Sequence, residues 1–159
     1  MNTSSEPKSR ARRLASLVGV LSAFLASCAS TRAMQPTAAP DGVEVRVLLF
    51  SGRPDPTFVL PEARLAELTR ALNSARENRE FQGETVLPSR LGYKGFLLLN
   101  PARQAGLPTE IAVYRGDIEV AAEPRRFLAD GGALEQWLVE RAQEAKAIDE
   151  RALQWIRQR

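Results

Sequence analysis

The spacing of hydrophobic positions changes several times along the chain, and each change marks a boundary. Residues 14–25 (LASLVGVLSAFL) form an uncharged, largely apolar run. Residues 29–40 (ASTRAMQPTAAP) show no period, only small and polar residues with two prolines, which is linker composition. Residues 43–50 (VEVRVLLF) alternate and then become continuously apolar, predicting a strand buried on at least one face. Residues 51–56 (SGRPDP) have turn chemistry and residues 57–60 (TFVL) return as a second short strand, so a hairpin is predicted.

Pro61 suits the first position of a helix, and after it Leu65, Leu68, Leu72 and Ala75 recur at helical spacing, with Arg and Glu on the other face. This helix is expected to end near Asn78. A polar stretch to Gly92 leads into a predicted central strand at residues 93–99 (YKGFLLL), stopped by Asn100-Pro101. Residues 110–114 and 118–121, joined by Arg115-Gly116-Asp117, predict a second hairpin. Beyond Asp130-Gly131-Gly132, Leu134, Trp137, Leu138, Ala142, Ala145, Ile148, Ala152, Trp155 and Ile156 trace one helical face. Trp137 and Trp155 are 18 residues apart, about five turns, so an unbroken helix aligns them. The order ββα-βββα predicts an α+β two-layer sandwich, with an antiparallel or mixed sheet of about five strands and two helices on one face.

The apolar run at 14–25 follows a basic stretch (Lys8 to Arg13) and precedes Ala26-Ser27-Cys28, the layout of a secretory signal. It is too short to span a hydrocarbon core, which takes roughly 20 residues, so cleavage is expected. Leu25-Ala26-Ser27-Cys28 resembles the lipobox of bacterial lipoproteins. The resemblance implies a thioether-linked diacylglyceryl group on Cys28, cleavage before it, and acylation of the new amine. One acyl chain anchors only marginally, whereas two or three hold a protein on a bilayer. An ordinary signal with a chance cysteine is the rival reading. Arg12-Arg13 hints at twin-arginine export, but Leu14-Ala15 continue that motif poorly, which favours the general secretory route. By analogy with the enterobacterial sorting rule, Ala29 in place of Asp favours the periplasmic side of the outer membrane. The expected organisation is therefore a signal peptide at 1–27, a lipidated cysteine and flexible linker at 28–41, and a single α+β domain at 42–159.

Charge changes this picture little. The 159-residue chain carries a formal +3, but four of its 22 basic and one of its 19 acidic residues precede Cys28, and the remaining 18 of each sign cancel. That balance argues against nucleic acid as a partner. An apolar fraction of 44% suits a normal core. With no histidine and one cysteine, a His-based triad, a zinc site and an internal disulfide are all excluded, and no cofactor is implied.

Residues 50–56 (FSGRPDP) and 91–96 (LGYKGF) resemble segments of uncharacterised microbial proteins that carry an SGRPNP-type loop and a GYRGF-type strand, with Asp55 and Lys94 as departures. No activity comes with this likeness. Taken by themselves, Ser51, Arg53 and Asp55 offer a hydroxyl, a guanidinium and a carboxylate on a rigid turn, and Arg90, Tyr93 and Lys94 converge on it if their strand is adjacent. Such a cluster suits an anionic or sugar ligand. Turn chemistry alone also explains Gly52, Pro54 and Pro56, with Arg53 and Asp55 as braces. A Ser51–Lys94 dyad is the boldest enzymatic reading. The Arg115-Gly116-Asp117 tripeptide is read as an ordinary hairpin tip.

A continuous final helix would be nearly 40 Å long, against a five-stranded sheet about 20 Å wide, leaving Ile148, Ala152, Trp155 and Ile156 as an overhanging partner face. A break near Asp149, or a course along the strands, would make the same stripe core. The leading expectation is a noncatalytic, lipid-tethered accessory or binding module of the cell envelope that contacts a protein or polymer. Its rival is a small envelope hydrolase or transferase using Ser, Lys or carboxylate chemistry.

Overall fold

A computed structural model of the protein describes residues 42–49, 52 and 54–158. The expected signal peptide at 1–27, Cys28 and the whole linker to residue 41, Ser51 and Arg53 lie outside the described residues. Elements follow in the order β1 (Val43–Leu48), β2 (Thr57–Leu60), α1 (Glu62–Ser74), β3 (Arg76–Glu77), β4 (Gly95–Leu99), β5 (Glu110–Tyr114), β6 (Asp117–Val120), β7 (Arg126–Ala129), α2 (Ala133–Glu144) and α3 (Glu150–Arg157). All strand pairings are antiparallel, in the spatial order β2-β1-β4-β5-β6-β7-β3. The class is α+β, but among the described residues the sheet has seven strands rather than about five, and there are three α-helices rather than two.

Period-two alternation assigns the two faces of the sheet. Val43, Val45, Val47, Phe58, Leu60, Phe96, Leu98, Ile111, Val113, Ile118, Val120 and Leu128 share one core with Leu65 and Leu68 of α1, Leu134, Leu138 and Ala142 of α2, and Ala152, Leu153 and Ile156 of α3. The two unexpected strands had little pattern to show. In β3 both residues are exposed, and β7 (RFLA) places only Leu128 in the core.

Both predicted hairpins form. Between β5 and β6, Arg115 (φ 52°) and Gly116 (φ 86°) make a two-residue loop with positive φ at both positions, the geometry that matches strand twist. At β4, Gly95 is required: its φ is +112°, and a Cβ there would lie 2.2 Å from the Val113 carbonyl oxygen.

The unbroken C-terminal helix is corrected. Helix α2 ends at Glu144, where Lys146 turns left-handed (φ 54°). Its N–H donates to the Gln143 carbonyl, and that of Ala147 donates to the Ala142 carbonyl, each at 2.9 Å. This is a Schellman stop with lysine where glycine is usual, which is why composition concealed it. Helix α3 restarts on the Asp149 side chain, which accepts from the Ala152 N–H at 2.7 Å. The chain thus turns back onto the core. Ile148, Ala152 and Ile156 are buried and Trp155 is half-buried, so the expected partner face is core and not an overhang.

Candidate functional site

Between β3 and β4 the chain crosses the sheet face opposite the helices, and a few specific contacts hold it there. The Asn78 N–H donates to the Phe127 carbonyl (2.8 Å), and its side-chain amide donates to Asp117 Oδ1 (2.9 Å). The Phe81 ring stacks on Phe127, with centroids 4.5 Å apart. Glu119, 8% exposed on β6, then fastens the middle of the segment. Its Oε2 accepts from Thr85 Oγ1 (2.5 Å) and the Val86 N–H (3.0 Å), while its Oε1 pairs with Arg125 (2.8 Å). Three donors offset the cost of burying that carboxylate. The Arg125 guanidinium also donates to the Glu84 carbonyl (3.0 Å), so one cation ties both strand and segment.

The segment ends on an aromatic cluster. Arg90 donates to the Tyr114 hydroxyl and lies 5.5 Å from that ring's centroid, and Arg115 approaches the same ring at 5.4 Å. Tyr93 sits 6.1 Å from both Tyr114 and Phe96. Its buried hydroxyl donates to Glu135 Oε1 at 2.6 Å, and Glu135 has no exposed surface. Glu135 lies in the first turn of α2, where the helix dipole favours a carboxylate. Of the sequence candidates, Arg90 and Tyr93 therefore meet around Tyr114. They also line a cleft of about 370 Å³ with Leu91, Gly92, Trp155 and Gln158, and Leu91 at its rim is 82% exposed.

The remaining candidates behave differently. Asp55 Oδ1 accepts from the Leu49 N–H at 2.8 Å, next to the Val47 N–H to Pro56 carbonyl bond, which is the bracing role expected of a turn residue. Lys94 joins the sheet through its backbone N–H to the Leu48 carbonyl (2.8 Å), and its ammonium forms no ion pair among the described residues. Three site residues escaped the sequence reading: Glu119, Tyr114 and Glu135. Only Glu135 carried a legible signal, since it falls at helical spacing with Leu138 and Ala142, a charge on an apolar stripe.

A second, larger groove of about 810 Å³ separates α1 from the start of α2 and reaches Arg76 and Ala129 at the sheet edge. On its wall the Trp137 indole N–H donates to Glu67 Oε2 (3.1 Å), and Arg64 donates to Glu67 Oε1 (2.9 Å). The Arg64 hydrogen bond holds the Glu67 carboxyl below its ordinary range, and Glu67 in turn raises Arg64. Asp130 closes one end, its oxygens accepting from the Gly132 (2.8 Å) and Leu134 (2.6 Å) N–H groups. Among the described residues no group of His, Cys, Asp and Glu is arranged to hold a metal ion, and no helix is long and apolar enough to cross a membrane. No protein-family model matches the chain, and no curated protein or solved structure matches it either.

Proposed function

We propose that the chain is a lipid-anchored protein of the cell envelope, attached through Cys28 on the periplasmic side of the outer membrane, and that its domain is a noncatalytic accessory module that binds an envelope protein or polymer. The anchor rests on the basic stretch, the short apolar run and Leu25-Ala26-Ser27-Cys28. The binding role rests on one observation: Leu91 is 82% exposed at the rim of a cleft shared with Arg90, Tyr93 and Trp155. Arg, Tyr and Trp are the side chains enriched at interface centres, and the exposed leucine beside them adds apolar surface for a partner to bury. Binding is favoured over hydrolysis because no carboxylate among the described residues lines the cleft and the candidate carboxylates hold structure: Asp55 by Leu49, Glu119 by the crossing segment and Glu135 by Tyr93.

The test has two arms in cells. Metabolic labelling with an alkyne fatty acid tags the natural protein and leaves Cys28→Ser unlabelled; equal labelling of both overturns the anchor. A photocrosslinking side chain at Leu91 captures a discrete envelope component that the same group at Thr57, exposed on edge strand β2, does not. Identical capture from both positions, or loss of nothing on Arg90→Glu, overturns the binding cleft.

A further inference from the structure

The groove between α1 and α2 has a charge distribution that the cleft at Leu91 lacks. Both acids on its wall are occupied, Glu67 by Arg64 and Trp137, and Asp130 by the two backbone N–H groups at the start of α2. Both cations there, Arg70 and Arg76, are exposed and form no ion pair among the described residues. Arg70 spends a single N–H on the Ala66 carbonyl, at 3.3 Å. The groove therefore presents two guanidinium groups that form no ion pair, over a wall of Ala71, Leu134 and the half-buried Trp137 indole, with the Asp130 carboxylate turned to the backbone N–H groups at its far end.

We propose that this groove binds a saccharide bearing a carboxylate or phosphate group, independently of the cleft at Leu91. Arg70 and Arg76 take the anion through paired, charge-assisted hydrogen bonds. The indole, whose ring the Arg141 guanidinium covers at 5.7 Å on one side, offers the sugar the part of its surface that lines the groove, and the Ser74 hydroxyl, which donates to the Ala71 carbonyl at 2.9 Å, keeps its lone pairs for a sugar O–H. A volume of about 810 Å³ accommodates one or two sugar rings. The backbone N–H groups of Gly132 and Leu134 are already capped by Asp130, so the arginines and not the helix terminus supply the positive field.

The probes are glucuronate and glucose 6-phosphate, titrated into the full-length protein while the indole N–H resonances are followed by NMR, with Trp155 as the internal reference. Either probe is expected to shift the Trp137 signal saturably, because that N–H spans the groove wall to Glu67. Glucose is expected to leave it unmoved. Arg70→Gln and Arg76→Gln, both surface changes that spare the core, each weaken binding roughly tenfold, the loss expected when one charge-assisted bond is removed. Three outcomes overturn the proposal: glucose binds as tightly as the anions, the double variant binds undiminished, or neither probe shifts Trp137 at concentrations on the order of 10 mM. Inorganic phosphate binding as tightly as glucose 6-phosphate overturns the saccharide assignment.

Discussion

Lys146→Gly should stabilise the protein, and the sign of that effect decides how the C-terminal third is built. Lysine at 146 is held at φ 54°, a region that costs an L-residue roughly 1 kcal/mol more than glycine. Glycine gives back part of this through its freer unfolded chain, leaving an expected gain of about 0.5–1 kcal/mol. With a urea slope of about 1.5 kcal/mol per molar, the denaturation midpoint rises by about 0.5 M. Were residues 133–157 one continuous helix, position 146 would be interior, and the same substitution would lower stability by about 0.5–1 kcal/mol. The two geometries thus predict opposite signs. Urea unfolding followed by circular dichroism separates them, with Lys146→Ala as the control that stays near the parent. A fall in the midpoint for Lys146→Gly would refute the Schellman stop and restore an overhanging stripe of Ile148, Ala152, Trp155 and Ile156.

Three further outcomes follow from contacts elsewhere. Glu119→Ala strands the buried Val86 N–H and frees the crossing segment, at a cost of about 2–3 kcal/mol; hydrogen exchange at Val86 should accelerate more than at Leu98, and uniform acceleration would contradict local fastening. Gly95→Ala drives a Cβ against the Val113 carbonyl at a positive φ and should cost about 3 kcal/mol or more, so a soluble variant with the parental midpoint would rule out the β4–β5 register. Arg64→Gln removes the main cause of Glu67's depressed pKa, so its carboxyl should titrate at higher pH in a carbon-detected NMR titration, and an unchanged curve would break the pair. Because the folded pKa is lowered, Glu67 favours the folded state at neutral pH, and that contribution disappears as pH falls through the folded value. The variant should lose less stability over that acid range.

Pattern alone reached every element whose apolar residues meet the core at regular spacing. Strands β1, β2, β4, β5 and β6 and helix α1 were visible because burial on one face forces period two or 3.6 onto the chain. Even there, α1 stops at Ser74 rather than near Asn78, because Arg76 and Glu77 pair with Ala129 and Leu128. Edge strand β3 exists only because β7 is already in place, and a two-residue exposed segment leaves no period to read. The same limit hid the site. Glu119 meets Thr85, and Tyr114 meets Arg90, because a segment far away in sequence lies down on the sheet, and nothing in their local spacing records that crossing. Lys146 is the opposite case: the stop is local, but its residue type is the one least expected to mark it. The envelope address is read from linear order alone, since a basic stretch, an apolar run and Leu25-Ala26-Ser27-Cys28 are recognised as an extended chain. Which cations remain outside any ion pair is a matter of distance, and distance exists only after folding.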